Sequence, residues 1–163
     1  MNDSVEIISG DLFNASEKYL CHQTNCVTNR AAHLAKDVFR KYPWADIYTP
    51  RLTPDAPGTI IIKGNGLDQR YVINMLGQYY PGYPKYPNST KDGGAVRQKY
   101  FHQCLHQISK LPDLESLAFP FKIGCGAAGG DWAAYLDLIQ RFTAFVNKAQ
   151  PIRVVIYQLN SDE

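Results

Sequence analysis

Apolar and polar positions alternate along this chain in blocks that predict a series of short strands and three amphipathic helices. Val5-Glu-Ile-Ile-Ser9 alternates up to Gly10 and predicts a first strand, and Tyr19-Leu-Cys-His-Gln23 a second that runs into a polar turn. From Ala31 to Lys41 the residues Ala32, Leu34, Ala35, Val38 and Phe39 recur at helical spacing, and Tyr42-Pro43 stops the helix. The β-branched run Gly58-Thr-Ile-Ile-Ile-Lys63 turns through Gly64-Asn-Gly66 and returns as Arg70-Tyr-Val-Ile-Asn-Met-Leu76, which predicts a hairpin. Residues 78–94 are rich in Tyr, Pro and Gly and predict a long surface loop, a class of segment that is often functional.

The second half repeats the strand–helix theme. Val96, Tyr100, Phe101, Cys104, Leu105 and Ile108 form one stripe of a helix over about 95–110. Leu114 to Phe121 predicts a buried strand, Trp132 to Val146 a further amphipathic helix, and Ile152-Arg-Val-Val-Ile-Tyr157 the last strand. This alternation, with a hairpin in the middle, implies an α/β domain with a mixed sheet between helical layers. Ligands of such sheets sit beyond the C-terminal strand ends, so the turns after Gln23, Leu76, Phe121 and Tyr157 are the places to look.

Composition narrows the class. A chain of 163 residues is long enough for one domain with a sizeable core, and 45% hydrophobic with 20% charged residues is ordinary for a globular protein. No apolar stretch approaches a membrane span, and Met-Asn-Asp-Ser at the N-terminus lacks a basic-then-apolar signal segment. Cys21, Cys26, Cys104 and Cys125 show no zinc spacing, so reduced thiols in a cytoplasmic setting, with no metal and no cofactor, are the expectation. Net charge is only +2 with no basic run, which argues against nucleic acid, and a monomer is expected. Five of the 11 tyrosines fall between Tyr79 and Tyr100, where they could stack on flat ligands or pad a surface.

The most chemically suggestive segment is Phe119-Pro-Phe-Lys-Ile-Gly-Cys-Gly-Ala-Ala-Gly-Gly-Asp-Trp132. Glycines 124, 126, 129 and 130 lie between an apolar run and a helix start, a combination that lets backbone N–H groups converge on a phosphate or diphosphate. Gly124-Cys-Gly126-Ala-Ala-Gly129 spells the dinucleotide fingerprint, but the acidic residue it needs about 20 positions on is replaced by Ala149-Gln150. A cysteine-phosphatase loop around Cys125 fails too, because Asp131 stands where the cradle needs Arg. Elsewhere, Asp11 after the first strand is either a turn cap or an acceptor for an adenine amino group. His22-Gln-Thr-Asn25-Cys26 packs a polar cluster where the second strand leaves the core.

Taken together, Gly10-Asp11-Leu12-Phe13, Cys21-His-Gln-Thr-Asn-Cys26, Ile123 to Trp132 and Val155-Ile-Tyr-Gln-Leu159 resemble the macrodomain family of ADP-ribose-binding proteins. The branch containing ADP-ribose 1″-phosphate phosphatases and glutamate-linked ADP-ribosyl hydrolases is the most similar. The resemblance implies a three-layer α/β/α sandwich with a mixed central sheet. It also implies Asp11 and the Leu12 amide on adenine, Asn25 on the distal ribose, Gly124, Cys125, Gly126, Ala127, Ala128, Gly129 and Gly130 around the diphosphate, and Tyr157 stacked on adenine.

Departures from the family pattern bear on activity. Its first phosphate loop is glycine-rich, whereas here Val27-Thr-Asn-Arg-Ala-Ala-His-Leu-Ala-Lys36 has no glycine, leaving Thr28, Asn29, Arg30 and His33 as side-chain donors in place of backbone ones. The catalytic Lys and Asp of the glutamate-linked hydrolases correspond to Gly77-Gln78 and Ala128. The expectation is a metal-free hydrolase using water activated by His22 or Asp131, with Asp131 also a candidate helix cap. A reader of ADP-ribose without turnover is the alternative.

Overall fold

The computed structural model describes residues 4–159, so the first three residues of the Met-Asn-Asp-Ser segment lie outside the described residues. Six strands form one sheet: β1 Glu6–Ser9, β2 Tyr19–Asn25, β3 Ile60–Lys63, β4 Tyr71–Gln78, β5 Ser116–Pro120 and β6 Arg153–Gln158. Their order is β1-β6-β5-β2-β4-β3, with every pairing parallel except the β3–β4 hairpin. Helices α1 His33–Lys41, α2 Gly94–Ser109 and α3 Trp132–Val146 complete the layers, and two short 3₁₀ turns cover Leu12–Asn14 and Pro43–Ala45.

The sheet has helices on both faces, as its near-continuous apolar strands require. On one face Phe101, Leu105 and Ile108 of α2 and Tyr135 and Ile139 of α3 pack on Cys21, Ile73, Met75 and Phe119. On the other, Val38 and Phe39 of α1 pack on Leu20, Val72 and Leu76. Each fully buried side chain of this size stabilises the fold by roughly 2 kcal/mol. The mixed sheet between helical layers is therefore as the sequence predicts.

The boundaries shift where polar groups intervene. β2 runs two residues past Gln23, because Thr24 donates to the Met75 carbonyl at 3.1 Å and Asn25 stays in register with Gln78 across a bulge. α1 starts at His33 and not Ala31, since Ala32 is extended at φ −138°.

Candidate functional site

The C-terminal ends of β2, β4 and β5 open into a cavity of about 370 Å³ between two lips. The first lip is the loop from Asn25 to His33, the second the glycine-rich loop after β5, and Pro81 and Gly82 close a third side. Arg30, His33 and Lys122 line it, and no carboxylate does among the described residues. Cations and backbone donors without acidic groups suit an anionic ligand.

The second lip holds its shape by internal hydrogen bonds. The amides of Cys125, Gly129 and Gly130 donate to the carbonyls of Lys122, Gly126 and Gly124 at 2.8, 3.1 and 3.0 Å. Those three amides are therefore not available to a diphosphate, and Gly129 and Gly130 do not line the cavity. They shape the loop instead. Gly124 has φ 76°, and a Cβ there would sit 2.5 Å from the Tyr135 ring; Gly129 has φ 79° and faces the Tyr83 ring. Gly126 differs: it needs no left-handed backbone, and a Cβ on it meets nothing within 4 Å. The amides of Gly124, Gly126, Ala127 and Ala128, all at the cavity wall, have no partner among the described residues. Cys125 is inert, its thiol pushed up to about 12 by burial.

The first lip is built from side-chain bonds. Asn25 is buried; its Oδ1 accepts from the amides of Val27 and Thr28, both at 3.0 Å, and its Nδ2 donates to the Tyr48 hydroxyl at 3.2 Å. The buried Arg51 guanidinium donates to the carbonyls of Thr28 and Asn25 at 2.9 and 2.8 Å and pairs with Asp55. Asn29 Nδ2 donates to the carbonyls of Tyr48 and Arg51. Without glycine, the loop still reaches a left-handed conformation, at His33, where φ is 54°.

Neither candidate catalytic group faces this cavity. His22 is fully buried against Phe39, with ring centroids 5.4 Å apart, and does not line the wall. Its Nε2 donates to Asn74 Oδ1 at 2.6 Å, because the Asn74 amide nitrogen is already donating to Ala45 and Ile61. Burial lowers its pKa to about 4, and its Nδ1 has no partner, so it is a neutral core histidine and not a proton carrier. Asp131 is an exposed N-cap of α3, accepting from the Ala133 amide at 3.2 Å, and it too lies outside the lining.

The proposed adenine group sits together but apart from the cavity. Asp11, Leu12 and Tyr157 meet at the C-terminal ends of β1 and β6, where Gly10 N–H donates to the Gln158 carbonyl at 2.9 Å. Asp11 caps the 3₁₀ turn through the Phe13 amide at 2.9 Å, and Leu12 is buried in the core. The Tyr157 ring lies 3.5 Å from where a Gly10 Cβ would stand, with its hydroxyl bonded to the buried Glu17.

Several residues at the site escaped sequence reasoning. Buried Arg97 of α2 pairs with Asp92 and donates to the carbonyls of Gly82 and Ala128 at 2.6 and 3.2 Å, so one guanidinium joins two cavity walls. Its signal was present: a cation at helical spacing from Phe101 and Ile108 on the apolar stripe needs a buried partner. Tyr48 and Arg51 gave no such signal, because they come from an irregular segment. Gln23 donates to Gln78 at 2.6 Å and Gln78 to the Tyr80 carbonyl, which fixes the cavity floor.

No protein-family model matches this chain, and no curated relative does. Solved structures do. The macrodomain of Mycobacterium tuberculosis DarG superposes with a TM-score of 0.68 at 21% identity, covering 94% of this chain and 96% of that one. The macrodomain of Thermus aquaticus DarG gives 0.69 at 18%, covering 94% and 97%. A Trypanosoma brucei macrodomain in complex with ADP-ribose gives 0.70 at 12%, covering 98% of this chain and 65% of that one. The fold of this chain is the macrodomain fold.

Proposed function

We propose that the chain binds ADP-ribose, or an ADP-ribosylated group, with the diphosphate between the two lips. The observation that carries this reading is the cavity wall: the amides of Gly124, Gly126, Ala127 and Ala128, without a hydrogen-bond partner among the described residues, share the lining with Arg30 and Lys122, and no carboxylate of the described residues lines it. The macrodomain fold, including a neighbour solved with ADP-ribose, adds the identity of the anion. In this reading Asn25, which lines the cavity, takes the distal ribose, and Asp11 and Tyr157, at the strand ends of β1 and β6 outside the lining, take the base.

Reading without turnover fits the lining better than hydrolysis by the groups the sequence nominated, since His22 is sealed in the core and Asp131 caps a helix. Hydrolysis of ADP-ribose 1″-phosphate or of ADP-ribosylated groups is the second reading. It is favoured by one observation, an imidazole at the cavity, that of His33. Calorimetric titration with ADP-ribose tests the first reading, and the expected dissociation constant is micromolar, roughly −8 kcal/mol. Phosphate release from the 1″-phosphate tests the second: none is expected of a reader.

A further inference from the structure

The third side of the cavity and its glycine lip lie far apart in the sequence, and one buried ion pair ties them together. Asp92 and Arg97, at the start of α2, are 5% and 2% exposed, and neither lines the cavity. All five N–H groups of the guanidinium have an acceptor. Nε and Nη2 donate to the two carboxylate oxygens of Asp92 at 3.0 and 2.6 Å, and Nη2 also to the Tyr80 carbonyl at 3.1 Å. Nη1 donates to the carbonyls of Gly82 and Ala128 at 2.6 and 3.2 Å. The Asp92 oxygens accept in turn from the amides of Tyr79 and Tyr80 at 2.7 and 3.2 Å. The Tyr79 carbonyl then accepts from the Cys26 amide of the first lip at 3.0 Å, so the network reaches all three sides of the cavity.

Such a pair is a poor source of stability, since apolar side chains of the same volume often serve a fold as well. What it supplies here is a defined arrangement. A planar fork that meets two carbonyls from one nitrogen fixes their separation, which a single ammonium on a flexible stem does not. The Ala128 carbonyl belongs to the same short segment as the unpartnered amides of Gly126, Ala127 and Ala128, so holding it holds them. Gly82 brings its carbonyl to Arg97 through a left-handed backbone, φ 72°, with open space where a Cβ would stand. We infer that Arg97 is a positioning residue for the ligand: by spanning Gly82 and Ala128 it sets the width of the cavity and holds the wall amides in place before the ligand arrives. Groups already held do not have to be ordered on binding. This rests on the ADP-ribose reading and adds to it a residue that acts from outside the lining.

The test is calorimetric titration of ADP-ribose on the wild type, Arg97→Lys and Leu105→Ala, with the melting temperature of each. Arg97→Lys keeps the charge beside Asp92 but cannot also span the two carbonyls. Leu105→Ala lowers the melting temperature from the apolar core of the same helix. Arg97→Lys is expected to bind about tenfold more weakly, and Leu105→Ala to melt lower but bind as the wild type does. Unchanged affinity in Arg97→Lys, or an equal loss in Leu105→Ala, overturns the inference and leaves ADP-ribose binding standing. A second pair of variants leaves Arg97 intact and so decides the matter even where Arg97→Lys does not fold. Gly82→Ala opposes the left-handed backbone, whereas Gly82→Asn, though larger, tolerates it. The Ala variant is expected to lose about threefold more affinity than the Asn variant. Equal losses, or the reverse order, overturn the inference. Absence of binding by the wild type overturns the ADP-ribose reading with it.

Discussion

The two lips of the cavity solve one conformational problem in opposite ways. After β5 the chain turns on glycine: Gly124 and Gly129 take φ of 76° and 79°, and the rings of Tyr135 and Tyr83 fill the space their missing Cβ atoms leave. After β2 there is no glycine before α1 ends. The loop is instead held by its own Asn25 and Asn29 and, from outside, by Arg51, and its left-handed residue, His33, carries a full side chain. The glycine lip commits the amides of Cys125, Gly129 and Gly130 to its own shape and leaves those of Gly124, Gly126, Ala127 and Ala128 at the cavity wall without a partner among the described residues. The side-chain lip commits only the amides of Val27 and Thr28, both to Asn25, and takes the rest of its shape from the side chains of Asn29 and Arg51. The two should therefore fail differently when mutated.

The largest effect is expected at the strut of the first lip. Arg51→Met removes bonds to Asn25, Thr28 and Asp55 from a guanidinium that is almost fully buried, and should cost about 3–4 kcal/mol in thermal or urea unfolding. A loss under about 1 kcal/mol would mean that the first lip keeps its shape without this hold. On the second lip, Gly124→Ala should cost about 2–3 kcal/mol, because it combines a left-handed φ with a Cβ against Tyr135. If Gly124→Ala unfolds like the wild type, the glycine account of that lip is wrong.

A smaller, pH-dependent effect comes from His22, beneath the first lip. Its folded pKa of about 4 lies below the ordinary 6.5, so the unfolded chain takes up a proton that the folded one refuses. The contribution is complete above about pH 6.5 and is lost as pH falls toward 4, by at most about 3 kcal/mol. His22→Gln should flatten stability over that window and leave ADP-ribose affinity unchanged; a fall in affinity would return His22 to the site. Smallest of all, His33→Gly should be as stable as the wild type or more so by about 0.5–1 kcal/mol, since relief of the left-handed backbone outweighs added chain freedom. Destabilisation beyond about 1 kcal/mol would mean that the His33 side chain holds the lip together.

The order of strands and helices was legible because each has a clean period: the hairpin from its β-branched runs, α2 and α3 from their stripes. The glycine lip was legible as a glycine-built turn from β5 into α3, but the division of labour within it was not. Which amides bond internally depends on the path of the loop, and that path is set by Tyr135 and Tyr83, which lie elsewhere in the sequence. His22 was misread because the alternation of a fully buried strand gives no hint of which polar residue faces a helix. The first lip was the least legible. Its supports, Tyr48 and Arg51, lie more than 20 positions beyond Asn25 in a segment without period.

The central claim is that the cavity between the lips holds the diphosphate of ADP-ribose, and Gly126 is the position that tests it most directly. A Cβ there meets no protein atom within 4 Å and the backbone is not left-handed, so Gly126→Val should fold and melt like the wild type. The side chain would nevertheless stand on the cavity wall, among the unpaired amides. In a calorimetric titration the account predicts micromolar binding of ADP-ribose by the wild type and a loss of at least about 100-fold, roughly 2.7 kcal/mol, in the folded variant. Equal affinity in the two proteins would contradict it.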